Sequence, residues 1–258
     1  MNDNNVSGRV QSELANLESA HGVRVLYACE SGSRAWGFAS RDSDYDVRFL
    51  YVHRRDWYLS VENHRDVIEM EIHDNLDISG WELRKALRLL KKSNPPLLEW
   101  LRSPIVYAQD EMFVAGFREL ATAYYSPQRC FAHYLHMASG QARQYLKGDT
   151  VRLKKYLYVL RPLLACRWIE RGLGQVPVRF DELAYGVVDN NIHVLLALAE
   201  LVTLKMEGDE LDEDRRVDVL DEFINSELQR LRLALPPDEA PLEVEPLNRF
   251  FQAHCAAA

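Results

Sequence analysis

The fold of this chain is decided by two short stretches, GSRAWG at 32–37 and SDYDVR at 43–48. The first is a glycine-serine turn, and the second opens an apolar run that predicts a strand. Side chains two positions apart on a strand point to the same face, so Asp44 and Asp46 are expected side by side. Like charges held so close repel each other unless a cation lies between them. The stretch therefore predicts a phosphate-binding turn next to a divalent-metal site.

The composition indicates a soluble globular protein. The chain has 258 residues, 47% of them hydrophobic, and a formal net charge of -8. This charge argues against a broad basic surface for long nucleic acid but leaves room for a local basic groove. No signal peptide or membrane-spanning run is recognisable, which predicts a cytoplasmic protein. The scattered cysteines at 29, 130, 166 and 255 form no Cys-x-x-Cys pair and are expected to be buried thiols.

The pattern of apolar residues divides the chain into two halves and predicts an α+β fold. Strand-like runs occur at 23–29, 47–52, 66–78 and 105–107, and a bend is expected at Asn75 within the third. Helical periodicity dominates from 111 onward. We therefore expect a small mixed sheet in a catalytic domain at 1–109 and an all-helical domain at 110–258 that closes a cleft over the metal site. Three prolines and several acids predict an extended tether at 235–245.

A basic helix is predicted after the third strand-like run. Ser79 followed by Glu82 has the pattern of a capping box, and apolar residues then recur at helical spacing. The helix carries the densest basic cluster of the chain, namely Arg84, Lys85, Arg88, Lys91 and Lys92. This cluster is either a solvated helix face or a patch for a polyanionic acceptor.

A two-metal site needs a third carboxylate besides the Asp-x-Asp pair. Asp77 has an apolar residue on each side and is the favoured candidate, while Glu69 and Glu71 have similar surroundings and remain alternatives. All of these ligands are hard oxygens, so Mg²⁺ is the expected ion, with Mn²⁺ as a substitute.

These motifs resemble the DNA polymerase β-like nucleotidyltransferase superfamily, whose signature is a Gly-Ser turn, an Asp-x-Asp and a later third acid. Together with DISGWELRKAL at 77–87, SNP at 93–95 and LRPLLACRW at 160–168, they look like its RNA-repair-associated branch. The resemblance implies transfer of a nucleoside monophosphate from a nucleoside triphosphate to an acceptor hydroxyl, with an RNA end, such as that of a tRNA, as acceptor. It also implies that Asp44, Asp46 and Asp77 are the catalytic metal ligands.

The residues expected to bind the nucleotide lie in both halves of the chain. Gly32 and Ser33 would meet the phosphates, and Arg34 either joins them or forms a surface salt bridge. In the second half, Pro162 interrupts a predicted helix, and a kink there could aim Lys155 or Arg161 at the triphosphate. Ordinary surface charge is the alternative for these two residues.

Two other functions are compatible with the same residues. The acceptor could be a protein side chain or a small molecule, as in antitoxin-like adenylyltransferases. The chain could also be a non-catalytic module that binds nucleotide or RNA, although the intact Asp44 and Asp46 argue against this. The sequence leaves the oligomeric state open.

Overall fold

The computed structural model describes residues 3–148, 150–188, 191–208, 214–234 and 243–256. It has the predicted α+β class, with a five-stranded mixed sheet and a helix-rich second half. The strands are β1 Val23–Glu30, β2 Tyr45–His53, β3 Val67–Glu69, β4 Leu76–Glu82, β5 Val106–Gln109, β6 Thr150–Val151 and β7 Asp214–Arg215. The helices are α1 Asp3–His21, α2 Gly32–Trp36, α3 Arg55–Tyr58, α4 Leu83–Lys91, α5 Pro95–Trp100, α6 Glu111–Ala123, α7 Pro127–Tyr145, α8 Lys154–Glu170, α9 Phe180–Val187, α10 Ile192–Glu207, α11 Asp218–Leu231 and α12 Glu245–Ala256.

The large sheet has the strand order β3-β4-β2-β1-β5. Strands β2 and β4 run parallel, and the other neighbouring pairs of this sheet run antiparallel. The predicted bend is confirmed, because Asp74 (φ 48°) and Asn75 (φ 62°) adopt the left-handed conformation and turn the chain between β3 and β4. The register of β2 and β4 sets Asp46 directly opposite Asp77.

Helix α1 covers one face of this sheet. Its apolar residues Val10, Leu14 and Leu17 are buried in one cluster with odd-numbered residues of β2, such as Phe49. Strand side chains alternate between faces, so Asp46 and Arg48 point away from that cluster. Gly80 allows this packing, since a Cβ at that position would lie 2.3 Å from the ring of Phe49.

Helix α4 begins later than its sequence pattern indicates. The capping-box prediction from Ser79 is wrong, because the backbone from Ser79 to Glu82 still pairs with β2 as part of β4. The N-cap is Glu82, whose carboxylate accepts hydrogen bonds from the backbone amides of Arg84 (2.8 Å) and Lys85 (3.2 Å). Strand pairing therefore outcompetes a favourable local helix start.

The chain contacts group into two compact units. The first contains Met1–Ala35, Asp44–Tyr125 and Pro241–Ala258, and the second contains Trp36–Ser43 and Ser126–Ala240. This grouping differs from the single predicted boundary near 109, because α6 and α12 belong with the sheet. Aromatic contacts account for part of the difference, since Phe250 of α12 packs against Phe113 and Phe117 of α6 at centroid distances of 5.5 and 5.7 Å.

The second unit contains α7 to α11 and the short β6–β7 pair. Pro162 lies inside α8, which is assigned as one continuous helix. Helix α9 was not expected from the sequence, and most of the tether predicted at 235–245 lies outside the described residues. None of the four cysteines forms a disulfide bond, and all four are buried, as predicted. Within the described residues, no helix is long and apolar enough to cross a membrane.

Candidate active site

Two carboxylates from neighbouring parallel strands meet at one guanidinium group. Arg48 Nη2 donates to Asp46 Oδ1 at 3.1 Å and to Asp77 Oδ2 at 2.7 Å. Arg48 Nη1 donates to the carbonyl oxygens of Val47 (3.0 Å) and Asp77 (2.9 Å). Arg48 therefore ties β2 to β4 at the level of the two carboxylates and fixes their separation.

Positively and negatively charged side chains both lie near the Asp46 carboxylate. Burial raises the pKa of its carboxyl, Arg48 lowers that pKa, and the nearby charges of Asp77 and Asp44 raise it again. Asp44 is exposed and directly precedes β2. The three acids predicted from the sequence are thus close enough to influence one another electrostatically.

A buried glutamate forms a hydrogen bond with the backbone of Asp46. Glu30, at the end of β1, has no exposed surface and accepts a hydrogen bond from the backbone amide of Asp46 at 2.7 Å. Its other oxygen accepts a hydrogen bond from the Tyr107 hydroxyl. Burial raises the pKa of Glu30 to about 7, against the hydrogen bonds from Tyr107 and Asp46. Glu30 was not predicted as a site residue, although a charged residue at the end of an apolar strand was a recognisable signal.

Gly32 is in direct contact with Asp46. Its φ is +58°, and a Cβ at this position would lie 2.0 Å from Asp46 Oδ2. The amide of Ser31 also donates to the carbonyl oxygen of Asp46 at 2.8 Å. Only glycine leaves room for the carboxylate here, so the conformation of the Gly-Ser segment and the position of Asp46 depend on each other.

The next residues form the short helix α2 instead of a simple turn. Ser33 lies within it and is partly exposed. The guanidinium carbon of Arg34 lies 3.6 Å from the ring centroid of Tyr45, and its Nε donates to the carbonyl oxygen of Asp44 at 3.2 Å. Arg34 thereby adds positive charge beside the aspartates, whereas its role toward a phosphate stays a prediction.

The two alternatives for the third acid lie in other surroundings. Glu69 is on β3 and its carboxylate is paired with Arg65, while Glu71 is exposed after that strand. Of the three candidates, Asp77 is the one that shares a hydrogen-bonding partner with Asp46. Its assignment as the third ligand nevertheless stays a prediction.

The donor chemistry of these residues fits a hard divalent cation. Among the residues described, no set of three His, Cys, Asp or Glu side chains is already arranged around one metal position. However, Arg48 shows that a positive group can lie within hydrogen-bonding distance of both Asp46 and Asp77. Asp46 and Asp77 offer carboxylate oxygens as metal ligands, and Asp44 supplies a further carboxylate. Carboxylate oxygens are the ligands that Mg²⁺ or Mn²⁺ prefers.

The nucleotide-binding residues predicted in the second half belong to the second unit. Arg161 is 3% exposed, stacks at 4.6 Å from the Trp36 ring centroid and donates to the carbonyl oxygen of Val178 at 3.3 Å. Lys155 lies 4.2 Å from the ring centroid of Tyr145, and burial lowers its pKa. Both cations therefore rest on aromatic rings, and their nucleotide-binding role stays a prediction.

Strand-borne carboxylates beside a Gly-Ser segment are the arrangement of a polymerase β-like nucleotidyltransferase. A family model described as "RlaP: RNA repair pathway DNA polymerase beta family" matches residues 6–253. The chain belongs to this family, which confirms the resemblance noted in the sequence.

Two further proteins are similar to the chain. The "Uncharacterized protein YcgL" of Bacillus subtilis (strain 168) is 50% identical over 223 residues, covering 86% of this chain and 85% of the relative. A crystal structure of a nucleotidyltransferase-like protein from Exiguobacterium sibiricum 255-15 is 14% identical and covers 93% of this chain and 73% of its own, with a TM-score of 0.30. A TM-score this low carries no inference, so the family assignment rests on the sequence matches.

Proposed function

We propose that this protein is a Mg²⁺-dependent nucleotidyltransferase that transfers a nucleoside monophosphate from a nucleoside triphosphate to the hydroxyl of an RNA end. The observation that carries the proposal is the set of contacts made by Asp46. This residue lies against Gly32 and, like Asp77, accepts a hydrogen bond from Arg48. The contact with Gly32 joins the Gly-Ser motif to the Asp-x-Asp motif, because the Asp46 carboxylate occupies the space that a side chain at position 32 would need. The description of the family supports RNA as the acceptor.

The proposed reaction uses few protein groups. The acceptor oxygen forms a bond to the α-phosphorus, the bond from that phosphorus to the bridging oxygen breaks, and pyrophosphate leaves. Asp44 and Asp46 face the phosphates, and Asp77 helps to remove the proton of the acceptor hydroxyl. Gly32 and Ser33 bring backbone amides and a hydroxyl to the triphosphate. When bound, divalent cations supply neutralisation of the phosphate charge and activation of the acceptor.

Arg48 and Glu30 act as positioning residues in this proposal. Arg48 holds the carboxylates of Asp46 and Asp77 by two hydrogen bonds, and Glu30 holds the backbone of Asp46. Preorganised charges avoid reorganisation when the negative charge of the phosphates moves during transfer.

The test is a label-transfer assay with the purified protein. Each of the four nucleoside triphosphates, labelled at the α-phosphate, is incubated with Mg²⁺ and either total RNA or a protein lysate. We expect label in RNA, and we expect Asp44→Asn to abolish it. Asp42→Asn is the matched control, because Asp42 is also exposed and lies two positions earlier.

Three outcomes would contradict the proposal in different ways. Label in protein alone would retain the chemistry and change the acceptor. No label in either mixture would indicate a binding module, and label that survives both Asp44→Asn and addition of a chelator would exclude the assigned carboxylates.

A further inference from the structure

Helices α4 and α12 line an open groove in the first unit. Arg84, Arg88 and Lys91 lie along its α4 side, and Leu247 and Phe251 contribute apolar surface from α12. The volume of the groove is about 440 Å³. The three cations occur at i, i+4 and i+7, so they form one stripe on the helix surface. The lining described for this groove includes no acidic side chain.

A second, smaller hollow adjoins this groove. Arg84 and Arg88 line it as well, together with Trp57, His64 and three acidic residues, Glu62, Asp66 and Glu82, and its volume is about 110 Å³. The Trp57 ring stacks on His53 at 3.9 Å with an interplanar angle of 7°, and it approaches His64 at 4.8 Å. Arg84 and Arg88 therefore border both hollows, and the groove between α4 and α12 is the one without acidic side chains in its lining.

Arg84 is held in position by two aromatic rings and lies close enough to Glu82 to lower the pKa of that carboxyl against its burial. The guanidinium carbon of Arg84 lies 4.8 Å from the ring centroid of Tyr58 and 5.5 Å from that of Phe251. Lys85, between them in sequence, is paired with Asp66 at 2.9 Å. Within the described parts of the chain, neither Arg84 nor Arg88 forms a salt bridge. The charge of Lys85 is thus neutralised by a carboxylate of the same chain. Arg84 and Arg88 form no such pair among the described residues, which leaves them available to an external anion.

We propose that this surface binds single-stranded RNA. The arginine groove, defined by Arg84, Arg88, Lys91 and Phe251, takes phosphates on its cations and a base on its aromatic ring. The choice of RNA among polyanions rests on the function proposed above. An acidic peptide would use the cations and leave the aromatic ring without a role, and a duplex would require a broad basic surface that a chain of net charge -8 does not favour.

The test measures binding apart from catalysis. A short fluorescent single-stranded RNA is titrated with the full chain in the presence of a chelator, and its anisotropy is followed at several salt concentrations. For single strands each phosphate contact contributes about 0.7 to the salt slope. Arg84→Gln combined with Arg88→Gln should therefore weaken binding about 25-fold at about 0.1 M salt and lower the slope by about 1.4. Phe251→Leu should weaken binding about fivefold at an unchanged slope, because Phe251 contributes the aromatic ring of the groove.

Lys92→Gln is the matched control for the charge. Lys92 is exposed at the end of the same helix and does not line the groove. This variant should bind RNA with the affinity and salt slope of the unaltered protein. If the double variant melts early, Arg88→Gln alone serves, because Arg88 is exposed; the expected loss is then about fivefold.

Several results would overturn the inference. They are the absence of RNA binding, equal binding by the double variant and the unaltered protein, an equal loss in Lys92→Gln, or equally effective competition by polyglutamate. Asp46→Asn should bind RNA normally, which separates this inference from the proposed catalysis. Transfer of label to protein together with groove-dependent RNA binding would refute only the proposed acceptor. Transfer to RNA together with unchanged binding by the groove variants would refute only the groove.

Discussion

Two regions of the first unit are built on a buried glutamate in the same way. Glu30 receives the backbone amide of Asp46 and the hydroxyl of Tyr107. Glu82 is 2% exposed and receives the backbone amide of Arg84 and the hydroxyl of Tyr58. The two glutamates differ in the residues that they hold. Glu30 holds the backbone of an acidic residue, Asp46, and Glu82 holds the backbone of two basic residues, Arg84 and Lys85. The same device therefore positions an anionic site and a cationic surface.

The largest expected effect separates the two regions by function. Asp77→Asn should lower nucleotidyl transfer on the order of 10³-fold, because it removes one of the carboxylates, and should leave RNA affinity unchanged. Glu69→Gln is the control, since the Glu69 carboxylate is paired with Arg65. Initial rates of label transfer and anisotropy titrations measure the two quantities. Full activity in Asp77→Asn with loss in Glu69→Gln would reassign the third acid.

The next prediction concerns how closely the anionic region is packed. Gly32→Ala should reduce the free energy of unfolding by about 2–4 kcal/mol, because it adds a clash with Asp46 to the strain of a positive φ. Gly22→Ala is a matched control, since its φ is +61° and a Cβ there meets nothing within 4 Å. This control should lose only about 1 kcal/mol in urea denaturation. Equal losses would show that Asp46 is not tightly packed against Gly32.

Exchanging each glutamate for glutamine sharpens the comparison. In Glu82 both oxygens accept from backbone amides, so Glu82→Gln must turn an amide group toward an N–H donor. We expect it to lose about 1–3 kcal/mol of stability. Glu30→Gln should be tolerated better, because Tyr107 can reverse its hydrogen bond and accept one. The reverse order of unfolding midpoints at pH 5 would contradict this hydrogen-bond assignment.

The pH dependence of stability should differ between Glu30→Gln and the unaltered protein. The pKa of Glu30 is raised from 4.5 to about 7, so the folded state favours the protonated form. The stabilisation by Glu30 is complete below about pH 4.5 and is lost as the pH rises through 7. Relative to Glu30→Gln, the unaltered protein should lose up to about 3 kcal/mol across this range. A difference that does not change between pH 5 and pH 8 would contradict the raised pKa.

The last prediction concerns the charge of Arg48. Arg48→Met should lose about 1–3 kcal/mol, because it leaves the repulsion between Asp46 and Asp77 without compensation. Mg²⁺ should then raise the melting temperature of this variant more than that of the unaltered protein. Arg9→Met removes an exposed ion pair with Asp74 and should lose about 0–1 kcal/mol without added sensitivity to Mg²⁺. Identical Mg²⁺ responses would show that Arg48 does not balance these carboxylates.

Local patterns predicted most of the secondary structure, because burial of one face imposes a period on the residues of each element. The pattern failed where a partner strand decided the outcome. Ser79 and Glu82 have good helix-start chemistry, but pairing with β2 keeps them in β4. Short α9 was missed because eight residues give few turns over which a period can be recognised.

The sequence predicted the acids of the candidate site better than the groups that support them. The spacing of Asp44 and Asp46 is a local signal, and Asp77 has a recognisable apolar context. Glu30 and Arg48 act through contacts with residues on neighbouring strands, which a single sequence does not reveal. Arg161 was predicted from its position beside a proline; the structure places it against the Trp36 ring, and its nucleotide-binding role stays a prediction.

The parallel pairing of β2 and β4 has a consequence for the evolution and engineering of this chain. Asp46 and Asp77 meet through strand register, so the segment between His53 and Leu76 can change in length without moving either carboxylate. A deletion of one residue inside β4 would instead bring an apolar neighbour to the place of Asp77. Loop grafts between these strands are therefore a promising way to diversify the protein, while single-residue changes in the length of β4 are expected to inactivate it.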